Sequence, residues 1–78
     1  MKVDIISPEN VIYSGEALLV SVPGTKGSFE IMNNHAAIIS SLSKGQIKVK
    51  SKDAEEKFFD INGGLVECSN NKINILVN

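Results

Sequence analysis

The chain is 78 residues long, 42% hydrophobic and 22% charged, with a formal net charge of −1. That length makes one small domain, which buries only about 60–65% of the surface its unfolded chain exposes and leaves little core in which to carve a catalytic cleft. The composition is that of a globular protein and not of a disordered tail, and the balanced charge, with all eight basic residues lysine and none arginine, argues against a nucleic-acid binder, which relies on the guanidinium fork for base and phosphate contacts.

The predicted elements are short strands separated by turn residues. "KVDII" is rich in strand formers and stops at Ser7-Pro8-Glu9-Asn10, a turn cluster in which Pro8 presets φ. "VIY" leads to Ser14-Gly15-Glu16, read as a second turn. "ALLVSV" follows and ends at Pro23-Gly24; by period-two alternation Leu18, Val20 and Val22 share one face and Leu19 takes the other. Leu19 then either packs under a second covered face, as in a sandwich, or meets a partner.

"QIKVKSK" is the clearest strand. Ile47 and Val49 point one way and Lys48 and Lys50 the other, as in an antiparallel strand with one wet face. Lysines 48, 50 and 52 read as that solvated face and not as an anion site. "DAEE" is a hairpin connection into "KFFDI", where Phe59 and Ile61 alternate with Phe58 and Asp60. Asn62-Gly63-Gly64 is a tight turn, and "LVECS" and "KINILV" are joined by Asn70-Asn71, a pair tolerant of left-handed geometry. Eight to ten short strands with turn signals about every ten residues predict an all-β fold, a small two-sheet antiparallel β-sandwich or a barrel. The first residues, "MKVDIISPEN", contain no apolar run of signal-peptide length, and no apolar stretch approaches a membrane span.

Chemistry is hard to place on this pattern. The single cysteine, Cys68, has no internal disulfide partner and reads as a small buried hydrophobe at the end of Leu65-Val66, in keeping with a reducing compartment. One His and one Cys without a paired motif do not make a metal site. No nucleophile elbow, dinucleotide fingerprint or Walker loop occurs, and Gly15, Gly24, Gly45, Gly63 and Gly64 read as structural turns. No catalytic residue, metal or cofactor is assigned. A biotinyl or lipoyl carrier domain is of similar size, but no lysine sits in the setting such domains display. An oligonucleotide-binding barrel would want exposed aromatics for stacking, against one Tyr and three Phe here. The one histidine, His35, follows Asn33-Asn34 and heads the apolar run Ala36 to Ile39. A catalytic imidazole, a metal ligand, a turn residue and a contact point for a partner are the readings open to it.

The order of features carries more than any one of them. Ser14-Gly15, then Pro23-Gly24-Thr25-Lys26-Gly27, then Ile31 to Ile38 with His35-Ala36, then Leu42-Ser43-Lys44-Gly45, and finally Gly63-Gly64 occur in sequence. This series resembles the N-terminal β-sandwich of the epsilon subunit of F-type ATP synthases, over essentially all of residues 1–78. Ala37 stands where the family usually has proline, and Glu30 and Asn33 replace a commoner Gly and Pro. The resemblance implies a non-catalytic rotor subunit at the foot of the central stalk, joining the membrane c-ring to the gamma shaft. It implies a c-ring-facing loop from Lys26 to Glu30, with Lys26, Gly27, Ser28 and Glu30, and a gamma-facing set of Ser7, His35 and Ser40. It further implies a location peripheral to a bacterial inner membrane on the cytoplasmic side, held by the complex without direct insertion. Members of the family usually continue into a two-helix hairpin that acts as a brake on hydrolysis; within residues 1–78 the expectation is the sandwich alone, without that hairpin.

Overall fold

A computed structural model describes residues 1–78. Nine strands form, β1 (Lys2–Ile6), β2 (Val11–Glu16), β3 (Leu19–Val22), β4 (Phe29–Met32), β5 (Ile38–Leu42), β6 (Gly45–Lys50), β7 (Glu56–Ile61), β8 (Gly64–Ser69) and β9 (Lys72–Val77). They make a five-stranded sheet in the order β2-β1-β9-β8-β5 and a four-stranded sheet in the order β4-β3-β6-β7. The expected sandwich is therefore present, and all its pairs are antiparallel but one. β1 runs parallel to β9, with Ile5 beside Ile75 and Ile6 beside Leu76.

Alternation builds the core. Val3 and Ile5 of β1, Val66 and Cys68 of β8, and Ile73, Ile75 and Val77 of β9 face inward from one sheet; Val20, Val22, Ile31, Ile47, Val49 and Ile61 face them from the other. Nearly all are β-branched or otherwise aliphatic, residues that pack well on a pleated surface. No polar or charged residue is buried. Burial, the leading cause, pushes the Cys68 thiol above its ordinary value, so it behaves as the inert hydrophobe its position suggested. The aromatics sit at the margin. Tyr13 of β2 and Phe59 of β7 meet with centroids 5.6 Å apart and close one side of the sandwich. The opposite side is closed by backbone, with a bridge from Gly24 to Leu42 and bonds from Thr25 N to the Ser41 carbonyl (3.1 Å) and Ser43 N to the Pro23 carbonyl (2.8 Å).

Two expectations change. Ser14-Gly15-Glu16 is no turn: all three lie in β2, paired with Asp4, Val3 and Lys2. Gly15 instead leaves room for the Tyr13 ring, whose hydroxyl would sit 3.0 Å from a Cβ there. The real turn is Ala17-Leu18, so Leu18 precedes β3 and is exposed, while Val20 and Val22 are buried as expected. The other predicted turns fall where the chain ends one strand and starts the next. Asn70 and Asn71 both have positive φ, 51° and 61°, as a two-residue hairpin demands. Asn62-Gly63 carries the chain from β7 across to β8 in the other sheet, and Asn33 to Ala37 and Ser43-Lys44 are likewise crossings between sheets. Gly64 opens β8 so close to β9 that a Cβ would collide with the Leu76 carbonyl oxygen.

The inward and outward parities make adjacent residues unequal. Ile75 is fully buried and Leu76 half exposed. Ile75→Ala should cost about 2–5 kcal/mol of unfolding free energy, and Leu76→Ala about 0.5 kcal/mol or less, measured by urea denaturation of each variant.

Candidate functional site

Strand register determines which side chains share the outer face of the five-stranded sheet. Val11, Ile6, Leu76 and Leu65 are successive register partners across β2, β1, β9 and β8, and the line ends at Ser41 of β5. Four strands thus contribute an apolar side chain to one row, with Ile39 beside its far end. Val11 is 64% exposed, Leu76 51%, Leu65 40% and Ile39 67%. The next row is polar, made of Ser14, Asp4, Asn74 and Glu67 and ending at Ile39. In it Lys2 Nζ donates to Ser14 Oγ (2.7 Å), and that hydroxyl donates to Asp4 Oδ1 (2.6 Å). The Ser14 hydrogen bond is the largest effect and lowers the pKa of the Asp4 carboxyl. Desolvation comes next and opposes it, and the charge and hydrogen bond of Lys2 with the charge of Lys72 keep the net direction below the ordinary value.

The outer face of the four-stranded sheet differs. Its rows, Met32-Leu19-Lys50-Glu56 and Glu30-Ser21-Lys48-Phe58, mix apolar residues with charges, Met32 beside Leu19 and Phe58 beside Lys48. Lys48 reaches Glu56 at 3.8 Å. This is the solvated lysine face expected of "QIKVKSK", and Leu19 lies half-buried on it between Met32 and Lys50.

The turn between β3 and β4 supplies the third feature. Lys26, Gly27 and Ser28 are exposed, and with Thr25 they line a shallow polar concavity whose other wall is Ile39, Ser40 and Ser41. Thr25 Oγ1 and Ser41 Oγ lie 2.9 Å apart across it. Gly24 has to be glycine, because a Cβ would stand 2.7 Å from the Gly27 carbonyl and 2.9 Å from the Phe29 ring.

His35 lies on the β4–β5 crossing. Asn34 takes φ of 64°, His35 N donates to the Met32 carbonyl (3.1 Å), and Nδ1 is 2.8 Å from the Ala36 carbonyl oxygen. The crossing is tied down further. Asn33 Oδ1 accepts from the N-terminal amine (2.8 Å), and Asn34 N donates to Asn71 Oδ1 (2.8 Å). The imidazole is thus part of a fixed loop and also open to solvent.

The residues singled out in the sequence are brought together only in part. Lys26, Gly27, Ser28 and Ser40 share one concavity. Ser7 follows Ile6, at the same end of the molecule as that turn, since Ile6 aligns with Leu76, Gly64 with Leu42, and Leu42 with Gly24. His35 is at the opposite end, beside Met1 and Asn71. Glu30 is not in the loop; it is the second residue of β4 and faces outward from the four-stranded sheet. The apolar row went unread. Its signal is parity: Leu65 and Leu76 each adjoin a buried Val or Ile and so must point away from the core.

The sequence matches, over residues 1–78, the family described as ATP synthase, delta/epsilon chain, beta-sandwich domain. It is 39% identical over 75 residues to the ATP synthase epsilon chain of Chlorobium limicola, covering 96% of this chain and 85% of that one. With the epsilon chain of Alkalilimnicola ehrlichii identity is 36% over 76 residues, covering 97% of this chain and 54% of that one, so the chain spans about half the length of that relative. In a cryo-EM structure of the Euglena gracilis mitochondrial ATP synthase (OSCP/F1/c-ring), a chain superposes with a TM-score of 0.91 at 13% identity, covering 96% of this chain and 48% of that one; at that identity the likeness is one of fold.

The Asp4 cluster yields a test of the outer-face geometry. A carboxyl depressed in the folded state favours folding above its unfolded pKa, and the contribution is lost as pH falls through the folded value. Ser14→Ala should raise the Asp4 pKa toward 3.8 and narrow that acid window, read by NMR titration of the Asp4 carboxyl.

Proposed function

The chain belongs to the ATP synthase delta/epsilon β-sandwich family, and on that premise we propose that it is a non-catalytic rotor subunit whose five-stranded sheet docks on the gamma shaft and whose Lys26–Ser28 turn meets the c-ring. The observation that carries this reading is the apolar row Val11-Ile6-Leu76-Leu65, with Ile39 beside its far end, on the outer face of the five-stranded sheet. A contiguous apolar strip on a small domain marks an interaction surface. A partner held through every rotation needs an apolar interface of at least about 1,000 Å², and a flat, stiff sheet spanned by such a row supplies its centre. Ser7 follows Ile6, a member of the row, and Ser40 precedes Ser41 on the edge strand β5 where the row ends. His35 marks the far end of the same edge, where it extends the contact along the sandwich.

The ring-facing role goes to a different chemistry. Lys26, Ser28 and Thr25 present an ammonium and two hydroxyls at one tip of the molecule, suited to the polar loops of a ring. Glu30, set back on β4, reaches that contact only from the side of the four-stranded sheet. Two faces at an angle on one rigid body allow torque to pass from ring to shaft, because two packed sheets resist bending. Residues 1–78 act in this as one sandwich domain. It is peripheral to the membrane, on the cytoplasmic side in a bacterium, and is held there by the complex.

Two measurements test the assignment. Titrated calorimetrically with purified gamma subunit, the chain should bind one to one, and Leu76→Lys should weaken binding by roughly tenfold or more, since burying a leucine is worth about 1.5–3 kcal/mol; unchanged affinity would contradict docking by this sheet. In reconstituted ATP synthase, Lys26→Glu should lower ion pumping per ATP hydrolysed, and unaltered coupling would remove the turn from the ring contact.

A further inference from the structure

The two-residue crossing from β7 to β8, Asn62-Gly63, is the one Asn-Gly pair in the sequence. We propose that Asn62 is a site of spontaneous deamidation and isoaspartate formation in the folded protein. In this reaction the amide nitrogen of the following residue, after giving its proton to a solvent base, attacks the side-chain Cγ. The new N–Cγ bond closes a five-membered succinimide as the Cγ–Nδ2 bond breaks and ammonia leaves. Water then opens the ring at either carbonyl, giving aspartate or isoaspartate. The net change is one water consumed and one ammonia released, with no other reactant.

Three local conditions favour this step, and Asn62 meets all of them. The attacking nitrogen belongs to Gly63, which has no Cβ to obstruct approach, and its φ of 147° is open to few other residues. Gly63 is itself buried, but its N–H donates no hydrogen bond, while its carbonyl accepts one from Asn78 N (3.2 Å). The Asn62 side chain is exposed and makes no hydrogen bond, so its amide is free to turn.

The other asparagines fail these conditions for reasons visible in the fold. The nitrogen after Asn33 is engaged with Asn71 Oδ1, and Asn33 Oδ1 holds the N-terminal amine. The nitrogen after Asn34 donates to the Met32 carbonyl. Asn10 and Asn74 precede the β-branched Val11 and Ile75, and Asn74 lies inside β9. Asn70 is followed by Asn71 and Asn71 by Lys72, whose side chains crowd the approach, and Asn71 Oδ1 is itself occupied. Among residues 1–77, Asn62 alone combines a glycine successor, a free successor N–H and an unbonded, exposed side chain. The product places a new carboxylate in the concavity that Asn62 shares with Lys44 and Asp60; the isoaspartate form also lengthens the backbone of a two-residue link that has no slack.

The test is to incubate the chain at mildly alkaline pH, folded and in urea, and to follow each asparagine peptide by mass spectrometry, with enzymatic isoaspartate methylation as a second readout. The expected result is modification confined to the Asn62 peptide in the folded chain, at a rate within a few-fold of that in urea. Asn62→Gln should abolish the methylation signal. An Asn62 that survives in the folded chain and deamidates only in urea would overturn the proposal, as would faster loss at Asn70 or any other asparagine.

Discussion

The parallel pairing of β1 with β9 is the contact on which the rest of the structure depends. Without it the five-stranded sheet separates into the β1–β2 hairpin and a three-stranded remnant of β9, β8 and β5. The pairing sets Val3 beside Ile73 and Ile5 beside Ile75, so the middle of the inner layer exists only because the first strand meets the last. It has the same effect outside. Ile6 falls beside Leu76, and that single register step joins two short apolar patches into a row crossing four strands. A slip of one residue would turn every inward side chain out, removing the core and the row together.

The two outer faces then divide the work. The four-stranded sheet carries lysines and carboxylates on its outer face, with the Met32-Leu19 pair and Phe58 among them and no apolar row across it, and it tolerates water. The five-stranded sheet carries the row and, one step along, a tight Lys2-Ser14-Asp4 cluster. Between the faces lies an interior without a buried polar group, and both lateral openings are closed, one by Tyr13 against Phe59 and the other by the Gly24–Leu42 bridge. Such a body bends little, which is what the proposed joining of a ring to a shaft requires. The crossing that bears His35 is held at Asn33 and Asn34, so its imidazole is presented from a fixed position.

Much of this was legible in the sequence, and the failures share a cause. The strands, the sandwich and the Asn70-Asn71 hairpin follow from alternation and turn chemistry, which are local. The ordered glycines and His35-Ala36 pointed to the family that the full-length match establishes. Gly15 was misread because a glycine in a strand looks like a glycine in a turn until its neighbour Tyr13 is seen to need the space. The family resemblance put Glu30 in the ring-facing loop, whereas it belongs to β4, a strand of only four residues that is too short for alternation to announce its start. The outward parity of Leu65 and Leu76 is local, but the parallel β1–β9 pair that joins them to Ile6 and Val11 was out of reach, because register between strands seventy residues apart leaves no local mark. Ser7, His35 and Ser40 carry no signal of their position either, and only the coordinates put two of them at one end and the third at the other.

The central claim, that the five-stranded sheet is the shaft-docking face, concerns one face of a thin body, so the decisive measurement reads side chains and not backbone. Hydroxyl-radical footprinting of the free chain and of the assembled ATP synthase compares both faces in one experiment. Protection of Leu65, Leu76 and Ile39 on assembly, with Met32 and Phe58 remaining reactive, is the expected result. Protection of Met32 and Phe58 with Leu65 and Leu76 left reactive would contradict it and assign docking to the four-stranded sheet.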